Sequence, residues 1–170
     1  MISYIWNYID WDQKVIGGFD PLSKGSWLAI NTETFNLAFV TNYDDCEFKQ
    51  VTDPKLKRGV IVGDFVKLEN QVEDDQEMDM WFEHFIENQE HINGVNIVYA
   101  NVKTGIAKYA SNFYSGCLPL HLENGVVHGI TNNSLSELDW PKQSRGKEFL
   151  TKFVNKISPD FEIGQESEVL

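Results

Sequence analysis

The stretch from Gly94 to Ile130 leaves a polypeptide few ways to fold. Val95 to Ala100 is an apolar run long enough for one buried strand, and Asn101-Val102-Lys103-Thr104-Gly105 turns it back into Ile106 to Ala110. Leu118 to Leu122 and Val126 to Ile130 then flank Asn124-Gly125, a dipeptide in which both residues tolerate the positive φ of a tight hairpin. Strands so close in sequence pair antiparallel, because a parallel neighbour needs a crossover of a dozen or more residues. The pattern predicts four antiparallel strands in a row.

The rest of the chain divides around that segment. Ser26 to Ile30 and Asn36 to Val40 read as a hairpin reversed by Asn31-Thr32-Glu33-Thr34, with Gly17-Gly18-Phe19-Asp20-Pro21 as a turn before it. Val60, Ile61, Phe65 and Leu68 have helical spacing, as do Met78, Trp81, Phe82, Phe85 and Ile86. A last helix near 144–157 carries Phe149, Leu150, Phe153, Val154 and Ile157 on one face. Helices set apart from antiparallel strands predict an α+β fold. At 170 residues the chain suits one domain, 1–158, followed by an acidic, frayed tail over 159–170.

Charge and cysteine content narrow the function. The net charge of −12 opposes binding to nucleic acid and to anionic membrane surfaces. Between Lys67 and Lys103 there is no Lys or Arg, while nine carboxylates fall there, either a solvated face or a docking surface for a basic partner. No apolar run approaches the ~20 residues of a membrane span. The N-terminal residues have neither the basic segment nor the apolar core of a secretory leader. Cys46 and Cys117 lack metal-site spacing, and a reduced, intracellular, cytoplasmic protein follows.

The sequence holds few candidates for reactive groups. There is no GxSxG elbow. Cys117 and His121 are separated along an expected strand, and Cys46 sits among Asp44, Asp45 and Glu47, which raise a thiol pKa rather than lower it. His84, His91, His121 and His128 are explained as surface histidines, so no metal and no resident cofactor is expected. Lys57-Arg58-Gly59 before a helix offers a weak anion site.

An ordered set of short motifs is more specific than any of these. The set is Gly25-Ser26-Trp27-Leu28-Ala29-Ile30, Val40-Thr41-Asn42-Tyr43, Arg58-Gly59, Asn93-Gly94-Val95-Asn96-Ile97-Val98, Tyr109-Ala110-Ser111-Asn112, Gly129-Ile130-Thr131-Asn132 and Leu138-Asp139-Trp140-Pro141-Lys142. In this order and spacing the chain, over about residues 3 to 155, resembles the transport and Golgi organisation protein 2 family, or NRDE-domain family. The resemblance implies antiparallel sheets layered with helices, as in the αββα sandwich of N-terminal nucleophile hydrolases. It also implies roles in Golgi and secretory-pathway organisation and in haem and lipid handling, with links to mitochondria; haem would be a transported ligand.

Members of that family begin Met-Cys and carry Asn-Arg-Asp-Glu soon after. This sequence has Ile2 and no such tetrapeptide. The expectation is a non-catalytic form lacking the family's N-terminal and C-terminal portions, the alternative being an amidohydrolase whose nucleophile segment is missing. By the same resemblance Asn42, Arg58 and Asn132 are expected to line one pocket. Trp27, Trp140 and Pro141 are expected to be structural, with Pro141 fixing the start of the final helix. A sheet edge bared by missing strands, with Tyr4, Ile5, Trp6 and Tyr8 partly covering it, is expected to favour self-association or a protein partner.

Overall fold

A computed structural model describes residues 14–20, 25–43, 57–68, 75–87, 92–112, 119–132 and 141–157. Cys46, His91, Cys117, Trp140, the aromatic residues at 4–8 and the 159–170 tail lie outside them. Strands β1 (Val15–Gly17), β2 (Leu28–Asn31) and β3 (Asn36–Asn42) precede helices α1 (Arg58–Val66) and α2 (Asp75–Glu87). Strands β4 (Val95–Asn101), β5 (Ile106–Ser111) and β6 (Leu120–His121) follow, and then helix α3 (Pro141–Ile157). The strands form one antiparallel sheet in chain order, β1-β2-β3-β4-β5-β6. The fold class is α+β. The described residues contain this single sheet, and no second sheet of a sandwich is among them.

Register divides the sheet into two unlike faces. Side chains alternate along a strand and match across an antiparallel pair. Val95, Ile97 and Tyr99 of β4 therefore share a face with Asn42, Val40 and Ala38 of β3. Helices α1 and α2 cover this face with Ile61, Val62, Phe65, Val66, Met78, Phe82 and Phe85. Tyr99 is fully buried at its centre, with ring centroids 5.5 Å from Phe65, 5.0 Å from Trp81 and 6.2 Å from Phe82. Lys108 of β5 is buried here too and pairs at 2.6 Å with Asp79, which ties α2 to the sheet.

Two of the reversals read from the sequence use one chemistry. Asn31 Oδ1 accepts the backbone N–H groups of Glu33 and Thr34, and Asn101 Oδ1 accepts those of Lys103 and Thr104. Each turn closes on a residue with positive φ, Phe35 at 63° and Gly105 at 77°. Glycine takes that conformation without penalty, whereas Phe35 is held there by its surroundings. The amide of Asn31 donates to the Val66 carbonyl at the end of α1, and that of Asn101 to Thr34 O and Asn36 Oδ1. Both asparagines are buried, so each turn is bolted to a neighbouring element.

Two expectations are corrected. Strand β1 adds an edge beside β2 that the turn signals at Gly17 and Gly18 conceal. Val126 to Ile130 is not a strand: Val126 is an isolated bridge and 127–132 has no regular structure. Asn124-Gly125 does turn the chain, with Gly125 at φ 82°. The segment after it is held to the sheet's face by side chains rather than to its edge by a ladder, as described below.

Asn101→Ala removes four hydrogen bonds: the buried Thr34 carbonyl and Asn36 Oδ1 each lose a donor, while the N–H groups of the exposed Lys103 and Thr104 can turn to water. At ~1–3 kcal/mol per stranded group, partly relieved by relaxation, the expected loss is about 2–4 kcal/mol. Urea unfolding of the two proteins measures it, and a loss below ~1 kcal/mol would show that the turn forms without its asparagine.

Candidate functional site

The face opposite α1 and α2 carries Leu28, Phe39, Val98, Tyr109 and Leu120 in one cross-strand row and Ile16, Ile30, Leu37, Ala100 and Ala107 in the next. Val98, Tyr109 and Leu122 are buried, with Phe39, Ala107 and Ile130 packed against them. Toward β1 the rows emerge into solvent, where Ile16 is 52% and Leu28 53% exposed.

Residues 127–132 cross the other end of this face. The Thr41 hydroxyl donates to the Thr131 carbonyl at 2.6 Å, and Asn96 Nδ2 donates to the same carbonyl and to Thr41 Oγ1. The Tyr109 hydroxyl donates to Asn96 Oδ1 at 2.7 Å. Asn96, Ser111 and Thr131 are buried, so these polar groups form a closed patch within an apolar surface. Helix α3 then lies against the loop. Gln143, its buried polar residue, donates to the Gly129 carbonyl. A Cβ at Gly129 would come within 2.7 Å of Gln143 Cγ and 2.9 Å of Lys147 Cε, so a larger residue there would push these two side chains aside.

Between sheet, loop and helix is an open groove of about 580 Å3. Phe39, Val98, Leu122, Ile130 and Leu150 supply apolar surface, and Thr41 and Thr131 supply polar atoms. Lys142 and Lys147 of α3, His128 and Asn132 stand around it. The volume falls within the ~300–1,000 Å3 typical of small-molecule sites. Lys142 Nζ lies 3.4 Å from Asn132 Oδ1, and His128 Nε2 lies 3.2 Å from the Glu123 carbonyl.

The three residues expected in one pocket are divided by the sheet. Asn132 lines the groove. Asn42 pairs with Val95 and so belongs to the helix-covered face, where it is exposed at the strand's end. Arg58 is at that same end, its guanidinium donating to the Gly94 carbonyl, which also accepts the Tyr43 N–H. Trp27 is 47% exposed, and its carbonyl accepts the Val40 N–H at the start of β2. Pro141 opens α3.

The residues that do converge are the neighbours of the expected pair: Thr41 beside Asn42 and Thr131 beside Asn132, joined by Asn96. A one-residue step along a strand changes face. The signal was available in the polar Thr41 and Asn96, which interrupt strands otherwise apolar on that side. Other motifs of the ordered set meet elsewhere by backbone contact. Ser26 N–H donates to the Gly59 carbonyl, and a Cβ on Gly25 would come within 2.5 Å of the Gly59 carbonyl carbon.

Asn96→Ala should release the loop, raising amide exchange across 127–132 and costing about 1–3 kcal/mol through the buried Tyr109 hydroxyl it leaves behind. Asn42→Ala, on the exposed end of the other face, should change stability by no more than about 0.5 kcal/mol. Hydrogen exchange and thermal unfolding separate the two, and equal effects would contradict the register.

Comparison with known proteins fits this arrangement of motifs. A family model described as transport and Golgi organisation 2 matches residues 5–169, nearly the whole chain and past the end of the last helix. No curated protein matches the sequence. No helix among the described residues is long and apolar enough to cross a membrane.

Proposed function

The chain belongs to the transport and Golgi organisation 2 family, and on that premise we propose that it serves Golgi and secretory-pathway organisation by binding lipid- or haem-like molecules rather than by catalysis. The groove between β3, β4 and α3 carries this reading. Its floor is apolar, and Lys142 and Lys147 stand on one wall. That combination suits a ligand with an apolar body and a carboxylate end, a chemistry shared by fatty acids and haem. The apolar body gains from leaving water, and the lysines fix which end faces out. The Thr41 hydroxyl, committed to the Thr131 carbonyl, holds the loop that walls the groove. The same reading puts the protein in the cytoplasm, in association with the Golgi or mitochondria.

Titration with hemin, followed at the Soret band, and with a fluorescent fatty acid in a parallel arm distinguishes the two sources. At least one should bind saturably. Exposed ion pairs are worth ~0.2–1 kcal/mol each. Reversing both charges in Lys142→Glu/Lys147→Glu should therefore weaken binding roughly tenfold. Absence of saturable binding in both arms, or binding indifferent to the double reversal, would overturn the proposal.

A further inference from the structure

Helix α3 turns only part of its apolar side toward the groove. Leu150 and Gly146 line the groove. Phe149, Phe153 and Ile157, spaced one turn apart, are 74%, 49% and 61% exposed. Three large apolar side chains in a line on one helix are more than the scattered exposure ordinary for a folded surface.

The charge beside that line has the opposite sign to the rest of the chain. Helix α3 holds Lys142, Arg145, Lys147, Lys152 and Lys156 against a single carboxylate, Glu148, which pairs with Lys152. Its net charge is thus +4 within a chain of −12. Arg145 is four residues before Phe149, Lys152 three after it, and Lys156 three after Phe153. Helical geometry therefore sets these cations along one border of the apolar line. The acidic α2 is on the far side of the sheet. At physiological salt, charges more than ~8 Å apart are largely screened, so the carboxylates of α2 do little to offset the cations of α3.

We propose that α3 docks on anionic lipid surfaces, with Phe149, Phe153 and Ile157 among the acyl chains and Arg145, Lys152 and Lys156 at the headgroups. An apolar stripe bordered by cations is the pattern of helices that lie in the membrane interface, and seventeen residues give it about 25 Å of contact. The long basic side chains can extend along the apolar surface to reach phosphates. A second copy of this chain is the poorer occupant, because antiparallel or parallel pairing of two such helices brings like charges together. Docking leaves the groove's own lining free, since Phe149 and Phe153 are not part of it.

Flotation of the full chain with vesicles tests this. Vesicles of phosphatidylcholine with about one-third phosphatidylserine should carry the protein, and pure phosphatidylcholine should not. Each cation near an anionic surface contributes on the order of fivefold to partitioning. Lys152→Ser/Lys156→Ser should therefore reduce binding at least tenfold, and Phe149→Ser/Phe153→Ser should abolish it. Circular dichroism checks that each variant is folded. Because the two lysines are exposed, their replacement decides the question even if the phenylalanine variant unfolds. No binding to either vesicle, equal binding to both, or indifference to the lysine substitutions would overturn the proposal, including the case in which an acidic protein is the true occupant.

Discussion

The pleat of β4 is the constraint on which the rest of the molecule depends. Val95, Ile97 and Tyr99 point to the helical layer, while Asn96 and Val98 point to the groove. A slip of one residue would bury Asn96 among aromatic rings and lift Tyr99 out of its cluster. The apolar burial under α1 and α2 fixes that register, and the register in turn fixes the groove. Stability of one face thus specifies the chemistry of the other.

Asparagine is the residue that converts this sheet into a three-dimensional site. Asn31 and Asn101 each close a turn through their oxygen and reach a neighbouring element through their amide. Asn112, just past β5, closes no turn but ties down the start of β4, accepting from the Val95 N–H and donating to the Ile92 carbonyl. Asn96 joins a sheet to a loop. The amide carries its donor and its acceptor on separate atoms, so it can bridge two backbones set farther apart than one hydroxyl oxygen reaches, whereas a carboxylate only accepts. Burial makes these bonds decisive, because an unpaired partner would have no water to turn to.

The two layers around the sheet differ in charge as well as in packing. The inner layer is covered by a well-buried α1 and an α2 whose outward side is acidic. Helix α3 has only Gln143 buried and presents cations to solvent. Net charge alone counts against anionic surfaces, yet it averages over a separation that the fold creates. The sheet stands between the two helices, and salt weakens what acts across it.

Local chemistry made much of this legible in the sequence. The hairpin at Asn31–Thr34, the reversal at Asn101–Gly105, the apolar stripes of α1 and α2, and Pro141 at the start of α3 all follow from propensities confined to a few residues. The ordered motifs were enough to identify the family. Strand β1 escaped because three residues beside a Gly17-Gly18 turn carry no pattern of their own and become a strand only by pairing with β2. Val126 to Ile130 has strand-like composition, but Thr41 and Asn96 draw the following residues across the sheet's face. The sequence by itself determined the α+β class, the turn chemistry and the amphipathic side of α3. Tertiary structure alone decided that Thr131 and Thr41, rather than Asn132 and Asn42, meet, and that the phenylalanines of α3 face solvent. Both depend on which strand face and which neighbour a residue acquires after the chain has packed, and no local propensity encodes that.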